Sequence, residues 1–142
     1  CDIRTGSENA RFNSAFVRVG ITPATGGVWL MPRTMGLSKA YELAFSGDFV
    51  NAQEAERLGI LNRVVPAGDL EKETMALATK IAKAPPLAVK LTKLQMRQGL
   101  LIDLKSAFEL AANCQSICMT SEDCKEAMTA MFEKREPVFK GK

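Results

Sequence analysis

The sequence predicts an α/β fold, with short strands and breaker-rich loops in its first half and helices in its second. β-branched and aromatic residues cluster near the N-terminus and again at residues 60–66, whereas apolar residues recur at helical spacing after residue 67. The chain has 142 residues, of which 46% are hydrophobic and 25% charged. That composition is typical of a globular protein with a packed core.

Composition also excludes several classes of function. Because the chain has no histidine, it cannot supply a Ser-His-Asp or Cys-His catalytic system or the usual zinc ligands. A net charge of +3 is smaller than the basic excess of most duplex-binding domains, so we expect no nucleic-acid partner. No apolar run approaches the roughly 20 residues that a membrane span needs, and the first ten residues do not resemble a signal peptide.

The four cysteines predict no metal site. They are Cys1, Cys114, Cys118 and Cys124, and no two of them form a C-x-x-C pair. Cys114 and Cys118 are four residues apart in a predicted helix and therefore share a face. We interpret the last three as small core residues of a protein in a reducing compartment.

The N-terminal segment contains β-prone pieces followed by a loop. Phe12, Phe16, Val17 and Val19 suit strands or strand edges. Residues 20–27 are dense in glycine, threonine and proline and predict a loop that leads into a helix. The chain opens without an initiator methionine, as the interior of a strand would, so we expect its first part to be missing.

The next segment predicts two helices and a strand. Ser38 is the candidate cap of a helix that ends at Gly47. Asn51 and Glu54 have capping-box spacing at the start of a second, short helix that stops at Gly59. The β-branched run at residues 60–66 ends in proline and predicts a strand.

The remainder is predicted to be almost wholly helical. Asp69 is the candidate cap of a helix to about Lys83, and the proline pair at residues 85–86 ends it and begins the next. Asp103 begins a longer helix, and Ser121 begins the last one, which runs toward Pro137. Apolar side chains at helical spacing are expected to face the core or a partner: Leu87, Leu91, Leu94, Leu104, Phe108, Ile117 and Met128.

Several separated motifs in order resemble one family. They are GITPATGG at residues 20–27, LAFSG at 43–47, AQEAERLGILNRVVP at 52–66 and EKREPVFKG at 133–141. Together they resemble the C-terminal part of the crotonase family, the enoyl-CoA hydratases and isomerases, over nearly the whole chain.

The resemblance implies a fold, an assembly and a substrate class. Residues 1–66 would form the C-terminal portion of a crotonase-like ββα superhelix, and residues 67–142 a helical region for trimerisation and CoA contact. It implies a homotrimer or hexamer, an acyl-CoA thioester as substrate, no cofactor beyond the coenzyme A of that substrate, and a role in fatty acid metabolism. A cytoplasmic location is expected, with an organellar one left open.

The chain departs from the family at both familiar acid positions. Phe16 stands where hydratases carry a catalytic glutamate, and Ala24 stands where related isomerases and dehalogenases carry an aspartate. Neither side chain can transfer a proton. The family's first glutamate and both backbone donors of its oxyanion hole would lie before Cys1. We therefore identify no catalytic residue within the chain.

The candidate substrate-binding residues carry alternatives. Phe16 either lines an acyl pocket or packs in the core, and Gly26 either allows close approach of a substrate or serves the turn alone. The resemblance places Lys134 near the CoA phosphates, whereas a solvated lysine is the alternative. The full set of candidates is Phe16, Pro23, Ala24, Thr25, Gly26 and Lys134.

The function expected from the resemblance is that of a generic enoyl-CoA hydratase or isomerase, with lyase or isomerase chemistry on acyl-CoA. One alternative is a relative with different chemistry, such as thioester hydrolysis, carbon–carbon cleavage or double-bond migration. Another is a non-catalytic member or fragment that only oligomerises.

Overall fold

Two pairs of short strands organise the first part of the molecule. The computed structural model describes residues 1–142. Strand β1 (Thr5–Ser7) pairs in parallel with β4 (Arg63–Val65), and β2 (Arg11–Phe12) pairs antiparallel with β3 (Val50–Asn51). Parallel neighbours need a crossover connection, so the chain between β1 and β4 must leave the pair and return.

Seven α-helices make up most of the chain, so helix outweighs strand within the predicted α/β class. Three of them precede β4 and four follow it. Their bounds are α1 (Gly27–Met35), α2 (Leu37–Ser46), α3 (Ala52–Arg57), α4 (Leu70–Ala82), α5 (Pro86–Gly99), α6 (Leu104–Thr120) and α7 (Glu122–Glu133).

The chain divides into two units, Cys1–Ala76 and Leu77–Lys142. The first unit contains the main hydrophobic core, and its buried members come from α2, β3, α3 and the turn that follows α3. These are Leu43, Val50, Ala52, Ala55, Leu58 and Leu61.

The second unit buries few side chains. Cys114, Asp123 and Ala130 are each at most 4% exposed. Cys118 and Cys124 are half-buried, and all four cysteines of the chain are free thiols. No helix in the structure has both the length and the apolar character required to cross a bilayer.

Three of the predicted helix caps are confirmed by their hydrogen bonds. The Asn51 side chain accepts from the backbone N–H of Glu54 at the start of α3. In the same way, the Asp103 side chain accepts from the N–H of Ser106 at the start of α6. The Ser121 side chain accepts from the N–H of Cys124 at the start of α7. Capping depends on residues only three positions apart, which is why the sequence alone predicts it.

The predicted cap at Ser38 is wrong, and the one at Asp69 stays a prediction. Gly36 is the cap residue of α2, and the helix begins at Leu37, so Ser38 lies inside the helix. Asp69 belongs to a 3-10 turn, Ala67–Asp69, that runs into α4, and its N–H donates to the Pro66 carbonyl at 2.9 Å. Gly36 thus takes the position before α2 expected for Ser38, and a 3-10 turn leads into α4.

The strand predicted for residues 16–19 is also wrong. Ala15–Val19 form a 3-10 helix that ends at Gly20, whose φ is 75°. The N–H of Gly20 donates to the Val17 carbonyl at 3.1 Å, and that of Ile21 donates to the Phe16 carbonyl at 3.2 Å. These local bonds satisfy backbone groups that a strand would have offered to a partner.

Candidate functional site

The loop at residues 20–26 leads directly into α1. Gly26 has a φ of 83°, and its carbonyl accepts from the N–H groups of Trp29 at 3.1 Å and Leu30 at 3.0 Å. No side chain caps this helix. The bond from Trp29 leaves the N–H groups of Gly27 and Val28 without a partner within the helix, so these two can bind a polarised oxygen or an anion.

The two glycines at the start of α1 have separate structural reasons. Gly26 occupies the left-handed region, where a side chain is strained. A Cβ on Gly27 would lie 3.1 Å from the Cβ of Pro23, closer than ordinary contact. Gly26 therefore serves the turn, and Gly27 serves the close packing of the loop against the helix.

An apolar groove of about 330 Å³ lies beside this loop. The 3-10 helix, the loop, α1 and α2 all contribute to its walls. Pro23 lines it, together with Val17, Ile21, Met31 and Tyr41. Its volume lies at the lower end of the range for small-molecule sites.

The aromatic wall of the groove was not predicted from the sequence. Tyr41 and Phe45 stack with ring centroids 5.1 Å apart, and they are 49% and 68% exposed. They lie four residues apart on α2, so their side chains share a face, which is not the face of the buried Leu43. An exposed aromatic pair at that spacing is the signal that could have indicated a second apolar face.

The predicted loop residues occupy different positions relative to the groove. Pro23 lines it, whereas Phe16, Ala24, Thr25 and Gly26 are not among its lining residues. Phe16 is 36% exposed, which is too much for a core side chain. Its role as the wall of an acyl pocket therefore stays a prediction.

A second cavity, of about 200 Å³, contains an unsatisfied hydroxyl. Ser14 is 7% exposed and its Oγ has no hydrogen-bond partner. Phe12, Asn13, Met35 and Val50 also line this cavity.

No carboxylate lines either cavity. Asp48 forms an ion pair with Arg18 at 2.7 Å on the surface. Glu54 accepts from Arg57 at 2.6 Å, and the hydrogen bonds from Arg57 hold the pKa of its carboxyl below the ordinary value. Both acids are engaged in surface ion pairs, so the described residues offer no general acid at the groove. No group of three or more His, Cys, Asp or Glu side chains could hold a metal ion.

Lys134 lies in the second unit, whereas the other five candidate residues lie in the first. It ends α7 in the left-handed conformation, with φ 55° and ψ 39°. Its N–H donates to the Met131 carbonyl, and the N–H of Arg135 donates to that of Ala130. This is the Schellman pattern, in which glycine usually takes the left-handed position.

The choice of lysine at that position is unusual within this chain. Every other residue with positive φ is a glycine, and Lys134 is the single exception. A side chain in this conformation costs roughly 1–2 kcal/mol. Strain that the sequence retains is a reason to look for a function of the side chain.

Comparison with known proteins identifies the family. The model of the enoyl-CoA hydratase/isomerase family matches residues 1–142. A crotonyl-CoA hydratase of Syntrophomonas wolfei is 37% identical over 139 residues, which cover 98% of this chain and 54% of the relative. A short-chain-enoyl-CoA hydratase of Clostridium acetobutylicum is 39% identical over 136 residues, covering 96% of this chain and 52% of the relative.

Solved structures of enoyl-CoA hydratases match the same chain. The crystal structure of an enoyl-CoA hydratase from Bacillus anthracis matches with a TM-score of 0.97 and 33% identity, over 100% of this chain and 55% of that one. The chain thus spans about half the length of these relatives. The family model covers every residue, and the backbone follows that of family members; the chain belongs to the enoyl-CoA hydratase/isomerase family, the crotonases.

Proposed function

We propose that this chain supplies the acyl-binding part of an enzyme that acts on acyl-CoA thioesters, as a generic enoyl-CoA hydratase or isomerase. The observation that carries the proposal is the apolar groove beside the uncapped start of α1. A groove of about 330 Å³ suits a short acyl chain, in keeping with the short-chain and crotonyl-CoA names of two relatives. Burial contributes about 0.8 kcal/mol per methylene, so the three apolar carbons of a four-carbon acyl group gain about 2 kcal/mol.

The proposed chemistry is divided between this chain and residues outside it. The groove excludes water from the acyl group, and the first-turn N–H groups of α1 face a polarised oxygen. A thioester that becomes an enolate needs donors aimed at its carbonyl oxygen, and each such donor contributes about 3 kcal/mol. The resemblance places those donors before Cys1. The proton must also come from outside the chain, because Phe16 and Ala24 carry none, and no further cofactor is proposed.

Activity assays test this division. The purified 142-residue chain should not hydrate crotonyl-CoA above background, measured as the loss of enoyl-thioester absorbance. Turnover by the chain alone would contradict the proposal. In the full-length protein, Phe16→Glu should raise hydration if a partner acid is present, and Phe16→Gln is the control of matched size. Equal rates for the two variants would count against the position of Phe16 beside the thioester.

Lys134 is proposed to contact a phosphate of coenzyme A. The lysine is exposed, and its left-handed backbone costs free energy that glycine would save. An ammonium attracts phosphate as a point charge, and salt screens the attraction beyond roughly 8 Å at physiological ionic strength. Lys134→Ala should therefore weaken CoA binding, with a deficit that shrinks as salt rises. Dephospho-CoA should bind variant and wild type more equally, and calorimetric titration of both ligands distinguishes the contact from a solvated lysine.

Self-association of the helical half is proposed on a separate observation. Phe108 and Met128 are 66% and 55% exposed, and Leu94 is 37% exposed. Apolar surface of this kind usually marks an interface, and the resemblance points to threefold symmetry. Phe108→Glu should lower the sedimentation coefficient toward that of a monomer, whereas Gln115→Glu on the same helix should leave it unchanged. A folded wild-type monomer at micromolar concentration would refute the assembly.

A further inference from the structure

Two carboxylates on one face of α7 bind the segment that follows the helix. Asp123 is 2% exposed and accepts from the backbone N–H groups of Lys140 at 2.7 Å and Gly141 at 2.8 Å. Glu126, one turn further on, accepts from the N–H of Val138 at 2.9 Å. A buried carboxylate that accepts two backbone bonds is well satisfied, so these contacts hold the tail against the helix.

The second carboxylate also holds the residue after Lys134. Arg135 donates from Nη1 and Nη2 to the two oxygens of Glu126, at 2.5 Å and 2.9 Å. Its Nε donates to Glu133 at 2.6 Å. A two-point contact between guanidinium and carboxylate fixes orientation as well as distance. The hydrogen bonds from Arg135 and Val138 lower the pKa of Glu126 to about 2, so the carboxylate stays charged near neutral pH.

Lys134 therefore lies between two anchored points. On its N-terminal side, its own N–H is bonded to the last turn of α7. On its C-terminal side, Arg135 is clamped to Glu126, and the tail beyond is bonded to Asp123. A lysine in an unanchored tail would leave the left-handed region for better conformations. The two carboxylates therefore restrain the chain on the C-terminal side of Lys134, in addition to the capping hydrogen bonds that form its left-handed turn.

From this arrangement we propose that Glu126 and Asp123 are positioning residues, which hold the C-terminal segment so that the Lys134 ammonium is presented to a phosphate of the acyl-CoA substrate. The inference rests on the proposed function, because it needs Lys134 to contact that phosphate. Neither carboxylate touches the ligand. Their effect is to order the flexible side chain of Lys134 before the ligand binds. Without them, that side chain would have to be ordered on binding, which costs affinity.

The test uses Glu126→Gln in the full-length protein, with Glu122→Gln as the control. Glu122 lies on the same helix, is exposed, and approaches only Lys142, at 3.9 Å. Ordering one long side chain corresponds to roughly two- to tenfold in Kd. We expect Glu126→Gln to raise the Kd for CoA by that factor and to speed hydrogen exchange at the Val138 amide. Glu122→Gln should change neither of these.

A double variant separates positioning from general damage. If Glu126 acts through Lys134, then adding Glu126→Gln to Lys134→Ala should weaken CoA binding no further. For substrate turnover, KM should rise and kcat should stay the same. Arg135→Lys keeps the charge but loses the two-point contact, so it should reproduce the effect while a cation stays beside the half-buried Glu126. Asp123→Asn should speed exchange at the Lys140 and Gly141 amides.

The outcomes are distinguishable. Faster exchange at the Val138 amide with an unchanged Kd for CoA, while Lys134→Ala still weakens binding, overturns the positioning inference and leaves the proposed function intact. An additive loss in the double variant also overturns it. If Lys134→Ala alone has no effect on CoA binding, the proposed phosphate contact itself fails. Unchanged exchange in both Glu126→Gln and Arg135→Lys would show that the carboxylate does not hold the tail.

Discussion

Replacing Lys134 with glycine should stabilise the protein while removing the proposed contact of its ammonium group with a phosphate of coenzyme A. The backbone at this position has φ 55° and ψ 39°. A side chain there costs roughly 1–2 kcal/mol, which glycine recovers. Glycine also lowers the free energy of unfolding by about 0.5–1 kcal/mol, because it increases the conformational freedom of the unfolded chain. The net gain in the free energy of unfolding is therefore about 0.5–1 kcal/mol, and Tm shifts by about 2–4 °C for each kcal/mol.

Lys134→Ala is the matched control for that experiment. Alanine removes the ammonium but keeps the Cβ, so it retains the backbone strain and should stay within about 0.5 kcal/mol of wild type. Urea titration of the three proteins measures the difference. Equal stability of the glycine and alanine variants would refute the strain argument. Both variants should lose CoA affinity to the same extent, because the lost charge is the same.

Three further predictions concern other parts of the chain. Gly6→Ala should lower the free energy of unfolding by about 1–3 kcal/mol, because the new Cβ would lie 2.6 Å from a methyl carbon of the buried Leu61; an unchanged urea midpoint would contradict this overpacking. Asn51→Ala should cost about 1 kcal/mol by removing the cap of α3, whereas Asn51→Asp should keep it. The Glu126–Arg135 pair should contribute fully to the stability of the folded tail above about pH 4.5. This contribution should disappear as the pH falls toward about 2, because the pKa of Glu126 is lowered in the folded protein. The protection of the tail amides, taken relative to their intrinsic exchange rate at each pH, should fall over that interval, and a flat protection profile would refute it.

Local signals in the sequence accounted for much of the fold. The caps at Asn51, Asp103 and Ser121 follow from hydrogen bonds between residues three positions apart, and the structure confirms them. Separated motifs in order predicted the family, which the comparisons establish over every residue. The absence of an acid at positions 16 and 24 is likewise a property of the sequence alone. Such features need no knowledge of distant neighbours.

The tertiary structure decided what depends on distant residues meeting. The groove joins Ile21 in a loop to Tyr41 on a helix, and no pattern along the chain indicates that they share a wall. Residues 16–19 alternate as a strand would, but local turns satisfy their backbone and no partner strand lies beside them. Asp123 reads in the sequence as an acidic first-turn residue, and only the folded tail shows that it binds backbone seventeen residues away. Burial and long-range hydrogen bonds arise from packing, so they become visible only when the chain is folded.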